Sequence, residues 1–256
     1  MEIVIIGTGN TATVLGKKFK SAGHLILQVV GRNALEAKKL AEQWGTDFTN
    51  NWNNINTAAE VYIVAVSDDA IEEVASYLKL QGKIVAHTAA SVSKEVLKPV
   101  TAHYGVFYPL QTLRKKMTEL PEIPIFYDGS DAKTKKTLES LARSIAGNNV
   151  SEGNDEVRKK LHVAAVIVSN FTNHLYVIAE DYCKKENIDF NKLLPLIEET
   201  ALRIKEISPL QAQTGPAIRH DSKTIQKHLE ILKNDPGLQQ LYEFLTTDIV
   251  ARNLNG

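Results

Sequence analysis

Gly7-Thr8-Gly9-Asn10-Thr11-Ala12 has the spacing G-x-G-x-x-A, and a turn of that form can hold a pyrophosphate. Gly7 permits a tight turn out of a strand. Gly9 has no Cβ, so the backbone can approach the phosphates. Ala12 is small enough for close packing of helix on strand. The helix N-terminus beyond the turn offers free N–H groups and a partial positive charge. An acidic residue about twenty positions on would hold a ribose 2′-hydroxyl. Arg32 and Asn33 stand there instead. A guanidinium suits a 2′-phosphate by charge and forked hydrogen bonds, so NADP is expected ahead of NAD. Arg32 as a solvated side chain and Asn33 as a helix cap are the plainer readings, and both roles can coexist.

Other polar groups fall where ligands bind in open α/β sheets, beyond the carboxyl ends of strand-like runs. Ser67-Asp68-Asp69 follows one such run, and Ser67 is expected to line the cofactor cleft. Asp69 and Glu72 have the spacing of a helix cap. His87-Thr88 ends the next run, with Ser91 close behind. Thr88 is expected near the cofactor and Ser91 near a substrate. His87 could donate a proton to a carbonyl, or it could be a hydrogen-bonded structural residue. Pro109-Leu110-Gln111-Thr112 is expected to shape the floor between the two domains.

The second half holds a further set. His162, Ser169 and Asn173 are spaced by seven and four residues, which puts them on one stripe of an α-helix. Asn170 lies about 80° from His162 at 3.6 residues per turn. Apolar residues 163–168 lie between, so the polar groups need partners. A cleft role makes His162 and Asn170 catalytic candidates and Asn173 a substrate contact; the alternative is a structural network. Arg219, in Thr214-Gly215-Pro216-Ala217-Ile218-Arg219-His220-Asp221, could bind a substrate carboxylate or make a salt bridge, and Asp221 could cap the next helix. His162 and His174 are about 120° apart on one helix, which is poor geometry for a shared ion, so no metal is expected.

These residues need elements to position them. Residues 2–6, 25–30, 60–66, 82–87, 105–108 and 123–127 are strand-like and alternate with helical stretches such as 34–44 and 131–146. That alternation predicts an α/β fold, a doubly wound parallel Rossmann sheet over residues 1–153. From residue 154 strand signals cease, and helical periodicity over 156–187, 191–207, 221–233 and 236–254 predicts an all-α second domain, 154–256. Thirty basic and thirty acidic residues give zero formal net charge, with no basic patch to attract nucleic acid. No unbroken apolar run approaches a bilayer span. The single cysteine, Cys183, cannot form an internal disulfide. A soluble cytoplasmic protein acting on a small molecule is expected, with neither nucleic acid nor membrane as partner.

Taken with His87-Thr88, Tyr108-Pro109-Leu110-Gln111, His162-Val163-Ala164-Ala165, Ser169-Asn170 and Thr214-Gly215-Pro216 with Arg219 and Asp221, the glycine turn resembles a family of NADP-binding Rossmann-like proteins with a C-terminal helical domain of unknown function. That family is similar to pyrroline-5-carboxylate reductases and to the 6-phosphogluconate and β-hydroxyacid dehydrogenases. The resemblance implies a homodimer in which the helical domain completes the cleft over the nicotinamide. It supplies no substrate; hydride transfer between NADPH and a small carbonyl or imine is the expected function. A Lys-x-x-x-Asn pair, common in β-hydroxyacid dehydrogenases, is absent, because Val163 and Ala164 follow Lys159 and Lys160 at that distance. His220 stands where the family often has glycine. With that pair missing, a non-catalytic NADP(H) sensor is the alternative function.

Overall fold

The computed structural model describes residues 1–117 and 119–254. Strand β1 (Glu2–Ile6) is a β-branched, apolar run that is almost wholly buried. Its alternate side chains serve two cores. Ile3 and Ile5 pack with helices α1 (Asn10–Ser21) and α2 (Ala34–Trp44) on one face of the sheet. Val4 and Ile6 pack on the other with α3 (Ile71–Tyr77). The sheet adds β2 (Leu25–Val30), β3 (Asp47–Thr49), β4 (Val61–Val64), β5 (Ile84–His87), β6 (His103–Pro109), β7 (Ile125–Gly129) and β8 (Val150–Glu152) in the order β3-β2-β1-β4-β5-β6-β7-β8. The order reverses beside β1, which opens a crevice at the carboxyl ends of β1 and β4.

The sheet departs from an all-parallel one at β7, which runs antiparallel to β6. A parallel pair needs a crossover, usually a helix. Residues 110–124 include none among those described, so the chain simply turns back. Helix α4 (Ala132–Ala146) then provides a crossover, and β8 pairs parallel with β7.

Strands end at Glu152, close to where the sequence changes character, yet contacts group the chain as Met1–Asn170 and Phe171–Gly256. Helix α5 (Asp155–Ala165) belongs to the first group because Arg158 roots it there. Arg158 is fully buried. Its Nε donates to the carbonyls of Ala89 and Ala90, both at 3.1 Å, and its Nη2 to Val92 O at 2.6 Å and Asp155 Oδ1 at 2.9 Å. Nη1 makes no hydrogen bond.

A six-residue π stretch, Val166–Phe171, separates α5 from α6 (Thr172–Lys185). Together they form a helix, Asp155–Lys185, long and apolar enough to cross a membrane by length and composition. This corrects the expectation that no segment reaches that length. Ser169, Asn170 and Asn173 interrupt the apolar run without lowering its average enough to matter. None of the apolar window is buried within the chain.

The second group comprises α6, α7 (Leu194–Arg203), α8 (Pro209–Ala212), α9 (Ser222–Ile231) and α10 (Pro236–Leu254). Asp221 caps α9 by accepting from Thr224 N, as its position predicts. His228 Nδ1 and Tyr242 Oη, 2.7 Å apart, tie α9 to α10.

His87 sits inside the first group, at the end of β5, with no exposed surface. Its Nδ1 accepts from Ala89 N–H at 3.2 Å. The neutral ring therefore carries its proton on Nε2, which makes no close hydrogen bond. Burial, and then the Arg158 guanidinium, push the imidazole down to about 4; the Ser93 carbonyl, Asp155 and Asp68 only partly oppose them. The unfolded chain takes up a proton near pH 6.5 that the folded chain refuses until about 4. Stability is therefore lost as pH falls through that window, by up to about 3 kcal/mol. His87→Asn is expected to flatten the stability profile between pH 6.5 and 4 in urea titrations relative to wild type; an unchanged slope would show that His87 titrates freely.

Candidate functional site

The crevice beside β1 is a cleft of about 630 Å³. Its floor is the predicted turn: Gly7, Thr8, Gly9, Asn10 and Thr11 line it, with Arg32, Asn33 and Ser67 around them. Gly7 has φ +127, and a Cβ there would run into the Ala65 carbonyl. Its N–H donates to Val30 O at 2.7 Å, which fixes the turn to β2. A Cβ at Gly9 would meet only open space. Ala12 is fully buried behind the turn, where close helix packing needs it.

Helix α1 presents its first turn to this floor with no side-chain cap and no acidic residue. By contrast, α2, α4 and α5 are capped by Asn33, Asp131 and Asn154. The uncapped N–H groups and the dipole leave α1 complementary to an anion. Asn33 Oδ1 accepts from Leu35 N at 3.0 Å and Glu36 N at 3.2 Å, so its carbonyl is committed to capping and its amide N–H₂ is left for a ligand. Arg32 is exposed at the cleft edge and makes no ion pair among the described residues. Sequence reading missed the far wall: Trp52 and Tyr77 stack with ring centroids 5.4 Å apart and planes within 15°, and both line the cleft. They lie outside the βαβ motif, so nothing in its spacing marks them.

Three expectations need correction here. His87 is sealed inside the fold and does not line the cleft, so it is not placed to touch a ligand. Thr88 is also buried, with its N–H donating to Val64 O at 3.1 Å, and it too lies outside the lining. Arg158 and His87 instead brace the loop that follows β5. Asp69 and Glu72 form no capping box, since α3 starts without a side-chain cap. The Ser91 hydroxyl donates to the Asp68 carboxylate, which joins the loops after β4 and β5.

A second polar cluster lies along the same carboxyl edge of the sheet, at the end of β6. Tyr108 Oη is 3.2 Å from His162 Nδ1, with the rings edge to face. Thr112 Oγ1 is 2.9 Å from Ser169 Oγ. Tyr108 is almost wholly buried, and burial raises its pKa. The phenol therefore stays protonated at neutral pH and can donate to Nδ1, which leaves the His162 proton on Nε2. His162 is exposed. Tyr108 was legible only as part of a motif, because its partner lies 54 residues away.

The π stretch interrupts the α-helical stripe expected of His162, Ser169 and Asn173, while His162 and Ser169 both meet the end of β6 and the loop beyond it. The i→i+5 bonding of the stretch inserts one extra residue in a turn, a lag of about 100° at the α-helical step. Asn170 closes the first contact group and is exposed. Asn173 and Arg219 belong to the second group, where both are exposed. His220 adopts φ +52 in the left-handed region, which explains why glycine suits that position.

Residues 2–91 match the model of NADP oxidoreductases described as coenzyme F420-dependent, and residues 123–249 match a domain of unknown function, DUF2520. A proposed NADP oxidoreductase from Bacteroides fragilis is 40% identical, with a TM-score of 0.87, covering 98% of each chain. A 1-pyrroline-5-carboxylate reductase from Streptococcus pyogenes shares the fold at 17% identity and a TM-score of 0.66, covering 98% of this chain and 97% of that one. An imine reductase from Myxococcus stipitatus, solved with NADP+, does so at 16% and 0.68, covering 100% and 95%. Comparison with curated proteins finds no match. A pyridine-nucleotide site and an oxidoreductase-type fold are thus common to this chain and its relatives, and the chain belongs to the NADP oxidoreductase family that joins this N-terminal region to that domain of unknown function.

Proposed function

We propose that the protein uses NADPH to reduce a small imine or carbonyl. The observation that carries this reading is the Tyr108–His162 pair on the carboxyl edge that also holds the anion-ready turn. NADPH, when bound, supplies the hydride. The chain's own residues do the rest. The Gly7–Ala12 turn and the bare start of α1 hold the pyrophosphate, and Arg32 with the Asn33 amide holds the 2′-phosphate. Tyr108 donates its hydroxyl proton to the nitrogen or oxygen of the bond being reduced. His162, in the tautomer with its proton on Nδ1 that leaves the Tyr108 hydroxyl proton free for the substrate, gives that proton to the phenolate as its exposed Nε2 takes one from solvent. Asn170 orients the substrate, with Ser91 as a further contact.

The apolar surface of the Asp155–Lys185 helix supports a second element of the proposal. Val163, Val168 and Phe171 are 62%, 72% and 60% exposed. Apolar side chains exposed together mark an interaction surface. A second copy of the chain is the occupant proposed here, giving a homodimer through the helical domain.

Four experiments test this reading. Absorbance of NADPH at 340 nm across a panel of cyclic imines and small carbonyls should show turnover; a protein that binds NADPH yet reduces nothing in the panel would instead be a sensor. Tyr108→Phe should lower kcat by about a hundredfold or more, the scale of general-acid catalysis, with NADPH affinity retained. His162→Gln should lower kcat less, because water can replace a relay, and an unchanged rate would remove it from the mechanism. Sedimentation should give a dimer for wild type and a monomer for Val168→Asp; a monomeric wild type would refute the proposed interface.

A further inference from the structure

Lys115 lies in the loop between β6 and β7, outside the βαβ unit that forms the nucleotide cleft. Two contacts nevertheless carry it to that unit. Its backbone N–H donates to Asn10 Oδ1 at 3.0 Å, on the first residue of α1. Its Nζ is 3.1 Å from Glu36 Oε2, in the first turn of α2. It therefore spans the starts of the two helices between which the cofactor's adenosine ribose must lie, if the turn holds the pyrophosphate and Arg32 the far side.

The charges around Glu36 are unbalanced. Lys39 Nζ reaches the same carboxylate at 3.6 Å, so two ammonium groups share one acid. Arg32, four residues before Glu36, adds a third cation that has no ion-pair partner among the described residues. Three positive charges against one negative leave an excess of two. A phosphomonoester carries about −1.5 to −2 at pH 7. Glu36 alone would repel such a group, and its pairing with Lys39, which the exchange of Lys115 leaves in place, offsets that repulsion.

We propose that Lys115 is a specificity-determining residue, completing the site for the 2′-phosphate of the nucleotide by exchanging Glu36 for the phosphate on binding. This rests on the NADP reading above and assigns it a residue that the motif does not contain. The exchange is a swap of one charge-assisted contact for another, so it costs little, whereas a nucleotide without the 2′-phosphate leaves the Lys115–Glu36 pair intact.

The test uses the full chain, with NADPH and NADH titrated separately and binding read by quenching of Trp52, which lines the cleft. Wild type should bind NADPH more tightly. Lys115→Met should weaken NADPH about tenfold, near 1.4 kcal/mol, and leave NADH within about twofold. Lys115→Arg should keep the preference, and Glu36→Gln should sharpen it. Equal losses for both nucleotides would assign Lys115 to the pyrophosphate, and no loss would make it a loop tether; either overturns the inference. If wild type prefers NADPH and Arg32→Ala abolishes that preference while Lys115→Met does not, only the Lys115 inference fails. If wild type binds NADH as tightly as NADPH, the NADP reading itself fails.

Discussion

A guanidinium with no solvent exposure holds the first half of this molecule in working order. Arg158 donates to three carbonyls in the loop after β5 and to Asp155 on its own helix. A loop turning inside a fold exposes carbonyls that no strand can pair. One side chain with five donors satisfies them together. The same bonds fasten α5 to the sheet edge, and only from that anchored helix can His162 meet Tyr108. Burying the charge is expensive, and Asp155 compensates it only in part. His87 feels the remainder: buried beside the same cation, it is kept neutral.

The cleft follows the opposite logic. Where the Arg158 loop satisfies its polar groups internally, α1 leaves its own unsatisfied at the point where a ligand would enter. Three other helices in this part of the chain carry a side-chain cap. The sheet supplies the setting, because the order of strands reverses beside β1. Binding chemistry thus sits where topology leaves room and α1 begins without a cap.

Much of this was legible in the chain itself. The glycine turn, Arg32, the Asn33 and Asp221 caps and the strand–helix alternation rest on spacings of a few residues, which local sequence records. The pairing of Tyr108 with His162 and the reach of Lys115 to Glu36 join residues 54 and 79 positions apart, and only the folded topology brings them together. His87 looked like a site residue because it ends a strand. The pleat turned it inward, and a strand tip alone does not say which face a residue takes. Arg158 was hidden by composition, since a basic residue in a helix rich in Lys and Glu reads as a solvated one. The antiparallel β7 was missed because an absent crossover helix leaves no signal as clear as a present one.

The π stretch has a consequence for the spacing of the chain. A turn with i→i+5 bonding takes up one residue more than an α-helical turn. The extra residue is absorbed inside the helix after Ala165, so α5 keeps its register on the Arg158 anchor whatever follows it.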